Sequence, residues 1–163
     1  MDVAIIMGSD SDWSVMKKSV EILNDFGAEV EITVASAHRT PQKVQDFVKN
    51  SDAKVFISAA GMAAHLAGVV ASFTTRPVIG IPINSEPFKG LDSLFSTVQM
   101  PSGVPVATMA VNGAKNAAIF AVEILAIGDK KFAEKLSAYR EKMVREVESK
   151  SEKIQQAFLE MQK

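Results

Sequence analysis

Short apolar runs that alternate with amphipathic segments are the feature that most constrains the fold of this chain. The first run, Val3 to Met7, is continuous and stops at Gly8, as expected of a strand buried on both faces. From Asp12 to Phe26 the apolar residues recur at helical spacing, and Gly27 is typical of a helix end. The segment from Glu29 to Ala35 then alternates and is rich in Val, Ile and Thr, which predicts a second strand.

The same alternation continues as far as residue 127. Further strands are predicted at 55–58, at 77–81 and within 104–111, and helices at 41–50, 62–72, 91–99 and 113–127. Pro41 suits the first turn of its helix, with Thr40 as the N-cap residue. Strands that alternate with helices predict an α/β fold in three layers, in which a doubly wound parallel sheet has helices on both faces.

Charged residues are distributed unevenly along the chain. Only five charged side chains lie between Lys54 and Asn112, whereas sixteen of the thirty-five residues from Asp129 to Lys163 are charged. A segment as apolar as 54–112 must be buried in a core or against other subunits. The segment 129–163 has a narrow apolar stripe typical of a long helix, which packs either on its own domain or around neighbouring subunits. We therefore expect an α/β domain at 1–128 and a C-terminal helix at 129–163.

The composition excludes several classes of function. The chain has no cysteine, which excludes a disulfide framework, thiolate metal sites and a cysteine nucleophile. A net charge of −1 argues against a nucleic-acid partner. Since no apolar run approaches the roughly 18 residues of a membrane span, we expect a cytoplasmic protein with no membrane partner. Two histidines without an acidic cluster predict no metal site.

Ligands bind beyond the carboxyl ends of the strands in open parallel sheets, so the loops after the first three strands are candidate sites. In the first loop, the hydroxyls of Ser9 and Ser11 and the free N–H groups of the next helix can bind phosphate. The carboxylate of Asp12 can accept hydrogen bonds from ribose hydroxyls. The loop is neither a Walker loop nor a dinucleotide fingerprint, and the alternative is that Ser11 or Asp12 only caps the helix.

The second and third loops carry the two histidines of the chain. In the second loop, the guanidinium N–H donors of Arg39 can bind a phosphate, and His38 is suited to proton transfer at neutral pH. In the third, at 59–68, small side chains let the backbone approach a ligand closely beside His65. The alternatives are a structural His38, and a His65 that is hydrogen-bonded in the core between tightly packed helices.

Sequence blocks around these loops resemble one family, the class I N5-carboxyaminoimidazole ribonucleotide mutases of purine biosynthesis. The similar blocks follow one order between residues 3 and 127, at Met7–Trp13, Ser36–Pro41, Ala63–Leu66, Pro77–Gly80, Asp92–Leu94 and Val98–Val106. Two positions depart from the family pattern: Met62 stands where glycine is usual, and Ala67 where proline is usual. The related class II carboxylases typically have lysine at the position of Arg39 and no histidine at that of His65, so both residues favour class I.

The resemblance implies a flavodoxin-like or Rossmann-like fold and an enzyme that moves a carboxylate from the exocyclic nitrogen of an aminoimidazole ribonucleotide to ring carbon four. It implies no cofactor or metal, and a homo-octamer with active sites at subunit junctions. His38 is then the proton shuttle and His65 a second catalytic residue. The substrate-binding residues implied by the family pattern are Ser9, Ser11, Asp12, Ser36, Arg39, Ala63 and Ala64, with Ser11 and Ser36 near the phosphate.

Two other functions are open at this point. One is a class II carboxylase, which joins aminoimidazole ribonucleotide directly to carbon dioxide. The other is a non-catalytic module that binds a nucleotide phosphate on a flavodoxin-like scaffold. The second alternative gives His38 and His65 no chemical role.

Overall fold

Five parallel strands form the central sheet in a computed structural model that describes residues 1–162. The strands are β1 (Val3–Met7), β2 (Val30–Val34), β3 (Val55–Gly61), β4 (Val78–Ile83) and β5 (Ala107–Thr108). Their order across the sheet is β2-β1-β3-β4-β5, and every neighbouring pair is parallel. After β1 the chain therefore forms one edge of the sheet with β2, and then crosses back to form the other side with β3, β4 and β5.

Helices cover both faces of this sheet. They are α1 (Trp13–Phe26), α2 (Pro41–Asn50), α3 (Leu66–Ser72), α4 (Leu91–Val98), α5 (Ala114–Ala126) and α6 (Lys130–Met161). The helices α1 and α5 pack on one face, and α2, α3 and α4 on the other. The three-layer, doubly wound α/β fold predicted from the sequence is therefore confirmed.

The residues of β1 show why the sheet has two cores. Val3, Ile5 and Met7 pack with the side chains of α1 and α5, whereas Ala4 and Ile6 pack with those of α2 and α3. All five residues are at most 4% exposed. Because alternate side chains of a strand point to opposite faces, a strand covered on both faces has no polar position, as its continuous apolar run predicts.

Several boundaries differ from the prediction. The strand β3 continues to Gly61 instead of residue 58, and α3 begins at Leu66 instead of residue 62. The small side chains that are compatible with a helix here also allow the strand to extend beside β4, where Gly61 pairs with Ile83. The residues between β3 and α3 form a loop. The last strand, β5, has only two residues.

Thr40 precedes α2 as predicted, but its side chain does not cap the helix. Its hydroxyl oxygen accepts a hydrogen bond from the backbone N–H of Ser36 at 2.9 Å and donates to the carbonyl oxygen of Ser36 at 3.2 Å. Thr40 is therefore the N-cap residue by position, as predicted, but its hydroxyl closes the preceding loop instead of bonding the first turn of the helix. The helix still begins at Pro41, whose fixed φ suits a first turn.

The long C-terminal helix α6 packs on the domain only along its first part. The carboxylate of Asp129 caps it by accepting a hydrogen bond from the N–H of Lys131 at 2.9 Å. Phe132 is buried in the core, whereas every residue from 141 to 162 is exposed. In the described part of the chain, no helix is both long and apolar enough to cross a membrane. Lys163, which ends the predicted helical segment, lies outside the described residues.

Gly80 lies in the middle of β4, where α4 packs very close to the sheet. A Cβ atom at this position would come within 2.5 Å of Cγ2 of Thr97 and 2.9 Å of Cγ1 of Val106. Real Cβ atoms essentially never make contacts that short. The absence of a side chain at residue 80 therefore sets the distance between α4 and the sheet.

We expect Gly80→Ala to lower the free energy of unfolding by about 1–3 kcal/mol, because the added methyl group forces buried neighbours apart. Urea unfolding of the two proteins measures this difference. Gly128→Ala is the matched control, since no heavy atom lies within 4 Å of the position of its added Cβ. Equal stabilities of the Gly80→Ala and Gly128→Ala proteins would contradict the prediction.

Candidate active site at the carboxyl ends of the strands

A cleft of about 780 Å³ opens where the loops after β1, β2, β3 and β4 meet. At its base the N–H of Gly8 donates to the carbonyl oxygen of Ala59 at 2.9 Å, which joins the ends of β1 and β3. The loops after these two strands diverge to opposite faces of the sheet and leave a space between them. The predicted site residues that line this cleft are Ser9, Ser11, Asp12, Ser36, His38, Arg39, Ala63 and His65. Ala64 is 1% exposed and does not line it.

The first loop is held in shape by its own polar side chains. The hydroxyl oxygen of Ser9 accepts a hydrogen bond from the N–H of Ser11 at 3.3 Å, and the carboxylate of Asp12 accepts one from the N–H of Ser9 at 3.1 Å. This reciprocal pair is a capping box on the short 3-10 turn Asp10–Asp12 that leads into α1. Ser9 is the N-cap residue of this turn. Asp12 is the N-cap residue of α1 by position, but its carboxylate makes no capping bond to α1 and closes the capping box with Ser9 instead.

Asp12 is nearly enclosed by protein, with 6% of its surface exposed. Burial raises the pKa of its carboxyl group above the usual range, and hydrogen bonds from the N–H groups of Ser9 and Gly8 only partly oppose this effect. A carboxyl group that retains its proton more readily can donate a hydrogen bond as well as accept one. Whether Asp12 donates a hydrogen bond at the cleft wall or only accepts one therefore depends on pH.

Arg39 reaches across from the second loop to the first. One of its terminal nitrogens, Nη2, donates to the carbonyl oxygen of Gly8 at 3.3 Å, and its backbone N–H donates to the hydroxyl of Ser36 at 3.2 Å. No carboxylate of the chain as described, residues 1–162, forms an ion pair with it. The guanidinium therefore keeps its positive charge and further donors available for an anionic group, beside the hydroxyls of the first loop.

His38 and His65 lie together, although 27 positions separate them in the chain. Nε2 of His38 lies 3.0 Å from Nδ1 of His65, and the two rings meet edge to face at an angle of 81°. Such a hydrogen bond needs one proton between the two nitrogens, so one ring donates and the other accepts. Both residues are exposed at the cleft, and the interpretation of His65 as a core residue is therefore wrong. The pair can hold and transfer a proton at the cleft surface.

The third loop turns sharply at Met62, the position at which the family pattern usually has glycine. The backbone φ of Met62 is 55°, in the left-handed region that favours glycine. Its N–H donates to the hydroxyl oxygen of Ser85 at 3.3 Å, and its side chain is 63% exposed at the cleft. The loop therefore has the backbone expected of a glycine, with a methionine side chain attached.

Sequence reasoning missed a further group of cleft residues, which lie at the end of β4 and after β4 and β5. They are Ile83, Asn84, Ser85 and Asn112. The side-chain oxygen of Asn112 accepts a hydrogen bond from the N–H of Asn84 at 3.0 Å and so joins the two loops. A signal was present for Asn84 and Ser85, because they are polar and directly follow a buried strand. Asn112 follows the segment 104–111 in which the last strand is predicted, but the pattern did not locate the end of that strand, which has only two residues.

These features define the class of protein. One side of the cleft offers hydroxyls and a guanidinium to an anionic group, and the other offers a histidine pair for proton transfer beside a wall of small residues. No three His, Cys, Asp or Glu residues cluster closely enough to hold a metal ion in the part of the chain that the structure describes. The arrangement is that of an α/β protein whose cleft, at the carboxyl ends of a parallel sheet, is suited to an anionic ligand and to proton transfer.

Comparison with known proteins identifies the family. A family model described as AIR carboxylase matches residues 2–146, and this chain belongs to that family. The chain is 54% identical over 156 residues to an N5-carboxyaminoimidazole ribonucleotide mutase of Methanocaldococcus jannaschii, a match that covers 96% of this chain and 99% of the relative. It is also 54% identical to the mutase of that name from Thermotoga maritima, with 94% and 92% covered.

A solved structure agrees with the fold. The crystal structure of Treponema denticola PurE superposes with a TM-score of 0.85 at 33% sequence identity, and the match covers 93% of this chain and 96% of that one. The family resemblance that the sequence blocks indicated is therefore confirmed.

The raised pKa of Asp12 predicts a dependence of stability on pH. Because the native state holds this proton more tightly than the unfolded chain, Asp12 contributes stability that is fully present below its unfolded pKa and is lost as the pH rises through the raised value. We expect the free energy of unfolding of the native chain to fall relative to that of Asp12→Asn over this interval. Urea unfolding at a series of pH values measures the difference, and a difference that rises with pH would contradict the prediction.

Proposed function

We propose that this chain acts as an N5-carboxyaminoimidazole ribonucleotide mutase, which forms 4-carboxy-5-aminoimidazole ribonucleotide in de novo purine biosynthesis. The relatives with that name support the proposal, because they are 54% identical and align over nearly the whole chain. The structural observation that carries it is the pair of His38 and His65, 3.0 Å apart in the same cleft as Arg39.

The phosphate and ribose of the nucleotide bind to the first two loops in this proposal. The groups that bind the phosphate are the hydroxyls of Ser9, Ser11 and Ser36 and the guanidinium of Arg39. They lie near the start of α1, where the positive end of the helix dipole favours an anion. Asp12 contacts the ribose hydroxyls. The aminoimidazole ring then points toward the histidine pair and the third loop.

His38 is the proposed proton carrier. It protonates the carbamate nitrogen, the bond between that nitrogen and the carboxyl carbon breaks, and carbon dioxide is released beside the aminoimidazole. Ring carbon four attacks the carbon dioxide, and His38 then removes the proton from that carbon. The proton given in the first step is recovered in the last, so one group serves both steps and the scheme needs no cofactor or metal. His65 keeps the ring of His38 oriented between these steps.

The third loop is suited to retain the carbon dioxide. Apart from Met62, the cleft wall here consists of small residues, which are Ala60, Gly61 and Ala63. Trapped carbon dioxide requires a small space that excludes water, because hydration or escape would waste the intermediate. Small side chains leave such a space directly beside the histidine pair.

An absorbance assay with two substrate mixtures tests the activity. One mixture contains the carbamate nucleotide without added bicarbonate, and the other contains aminoimidazole ribonucleotide with a high concentration of bicarbonate. We expect rapid formation of the carbon-carboxylated nucleotide from the first mixture. Turnover only from the second would favour a class II carboxylase, and turnover from neither would favour a non-catalytic binding module.

His38→Asn should lower kcat by ~100- to 10,000-fold with little change in KM, because it removes the proton carrier and leaves the binding groups in place. Steady-state kinetics on the carbamate nucleotide measure both constants. Arg39→Ala serves as the contrasting variant in the neighbouring position, and there the main effect should be a higher KM. An unchanged kcat in His38→Asn would remove this residue from the mechanism.

Exposed apolar surface supports an oligomeric enzyme. Leu91, Phe95 and Val98 are 46% to 58% exposed, and their spacing of four and three residues places them on one face of α4. Phe88, just before this helix, is 62% exposed. An apolar surface of this kind on an isolated chain marks an interface. We propose a homo-octamer with active sites at subunit junctions.

The expectations of a cytoplasmic location, of no nucleic-acid partner, and of a domain boundary at residue 128 stay predictions.

Light scattering at micromolar concentration should give a mass near eight times 17.6 kDa. Phe95→Glu should shift the population to smaller species, because it introduces a charge into the apolar face of α4. Lys49→Glu, a change to the same residue on the exposed surface of α2, is the control and should leave the mass unchanged. A monomeric native chain would contradict the proposed octamer.

A further inference from the structure

The third loop carries His65 but has few ties to the rest of the protein. The N–H groups of Ala64 and His65 donate to carbonyls inside the loop, and the N–H of Val69 in α3 donates to the carbonyl oxygen of His65 at 2.9 Å. In the described chain, two hydrogen bonds tie residues 62–65 to other loops. One runs from the N–H of Met62 to the hydroxyl oxygen of Ser85, and the other joins the rings of His65 and His38. The end of the loop at His65 is thus held by α3, and the contact at Ser85 holds its other end, where the backbone turns at Met62.

The backbone conformation of Met62 is sterically unfavourable for a residue that has a side chain. Its φ of 55° is rarely adopted by residues with a Cβ atom, whereas glycine adopts it readily. The side chain is 63% exposed, so packing contributes little to holding this conformation. The hydrogen bond to Ser85, at 3.3 Å, is the contact that holds the backbone of Met62 from outside the loop.

Ser85 is supplied by a rigid part of the fold. It follows β4, whose last residue, Ile83, is 8% exposed and pairs with Gly61 at the end of β3. Asn84, the residue between, donates its N–H to the side-chain oxygen of Asn112 at 3.0 Å. The hydroxyl of Ser85 is therefore a fixed acceptor, two residues from a buried strand.

We propose that Ser85 is a positioning residue of the reaction. The hydroxyl of Ser85 accepts a hydrogen bond from the N–H of Met62. This bond keeps the third loop in its left-handed turn and so holds His65 against His38. This inference rests on the proposed mutase function. Ser85 is needed because residue 62 is methionine: glycine would adopt this φ without strain, whereas methionine requires an outside contact to offset the strain.

Two readouts on the full-length chain test this proposal. The first is the set of ring signals in protein labelled with ¹³C-histidine, which needs no substrate and contains only two histidines. The second is kcat and KM for the carbamate nucleotide. The variants are Ser85→Ala, Ser85→Thr, Met62→Gly and the combination of Ser85→Ala with Met62→Gly. Ser72→Ala is the matched control, because the hydroxyl of Ser72 likewise makes one hydrogen bond, here as the donor to the carbonyl oxygen of Val69 at 2.7 Å.

Ser85→Ala should shift the ring signals of His65 and lower kcat about fivefold with KM nearly unchanged, which is the loss that one hydrogen bond explains. Ser85→Thr retains the hydroxyl and should restore both readouts. When Met62→Gly is already present, adding Ser85→Ala should lower kcat by less than about twofold, because the glycine no longer needs the contact. Ser72→Ala should match the native chain in both readouts.

An equal loss of kcat from Ser85→Ala with either residue at position 62 would mean that Ser85 acts on the substrate directly, and would overturn the proposal. Histidine signals that do not change in Ser85→Ala would also overturn it. A native chain that is inactive on the carbamate nucleotide, but whose histidine signals respond as expected, would refute the mutase function while the link between Ser85 and His65 stands. The two failures are therefore distinguishable.

Discussion

The parallel pairing of β1 with β3 is the constraint on which both the fold and the cleft depend. In this register Met7 lies opposite Ala59, and the N–H of Gly8 extends the ladder by one further bond. A slip by one residue would exchange the two faces of β1 and place Ile6 in the core built for Ile5. It would also move the first loop by roughly 3.3 Å relative to the third. The two apolar cores thus determine where the loops that line the cleft stand.

Arg39 shows how the second loop is joined to this central pair. Strand β2 lies on the far side of β1, and its loop reaches the cleft because the guanidinium bonds the carbonyl oxygen of Gly8. His38, beside it, is carried to the centre of the cleft by the same loop and meets His65 from the loop after β3. The anion-binding side and the proton-transfer side of the cleft are therefore built from neighbouring residues of one short segment.

The features that could be predicted from the sequence are those that depend on local pattern. The continuous apolar run of β1 reports burial on both faces, and Pro41 marks the start of α2 because its φ is fixed. The carboxyl-end rule then places most of the candidate residues in one cleft without any knowledge of side-chain contacts. The family resemblance added roles for these residues, but it did not supply their geometry.

The features that could not be predicted depend on contacts between distant residues. The 3.0 Å separation of His38 and His65 follows from the order of β2, β1 and β3, which hydrophobic periodicity does not encode. The small residues before α3 are compatible with a helix, and the turn at Met62 is held by a partner 23 positions further along the chain. The cleft role of Asn112 depends likewise on its bond to the end of β4.

The length of α6 leaves its outer part without protection unless other chains cover it. A helix of 32 residues is about 48 Å long, and the exposed part beyond residue 140 accounts for about 30 Å of it. No tertiary contact of the described domain protects the backbone there, so local unfolding opens it to proteases. In the proposed octamer neighbouring subunits shield this arm, and shielding increases as more chains assemble. Exposure of this arm to proteases would then be set by the degree of assembly.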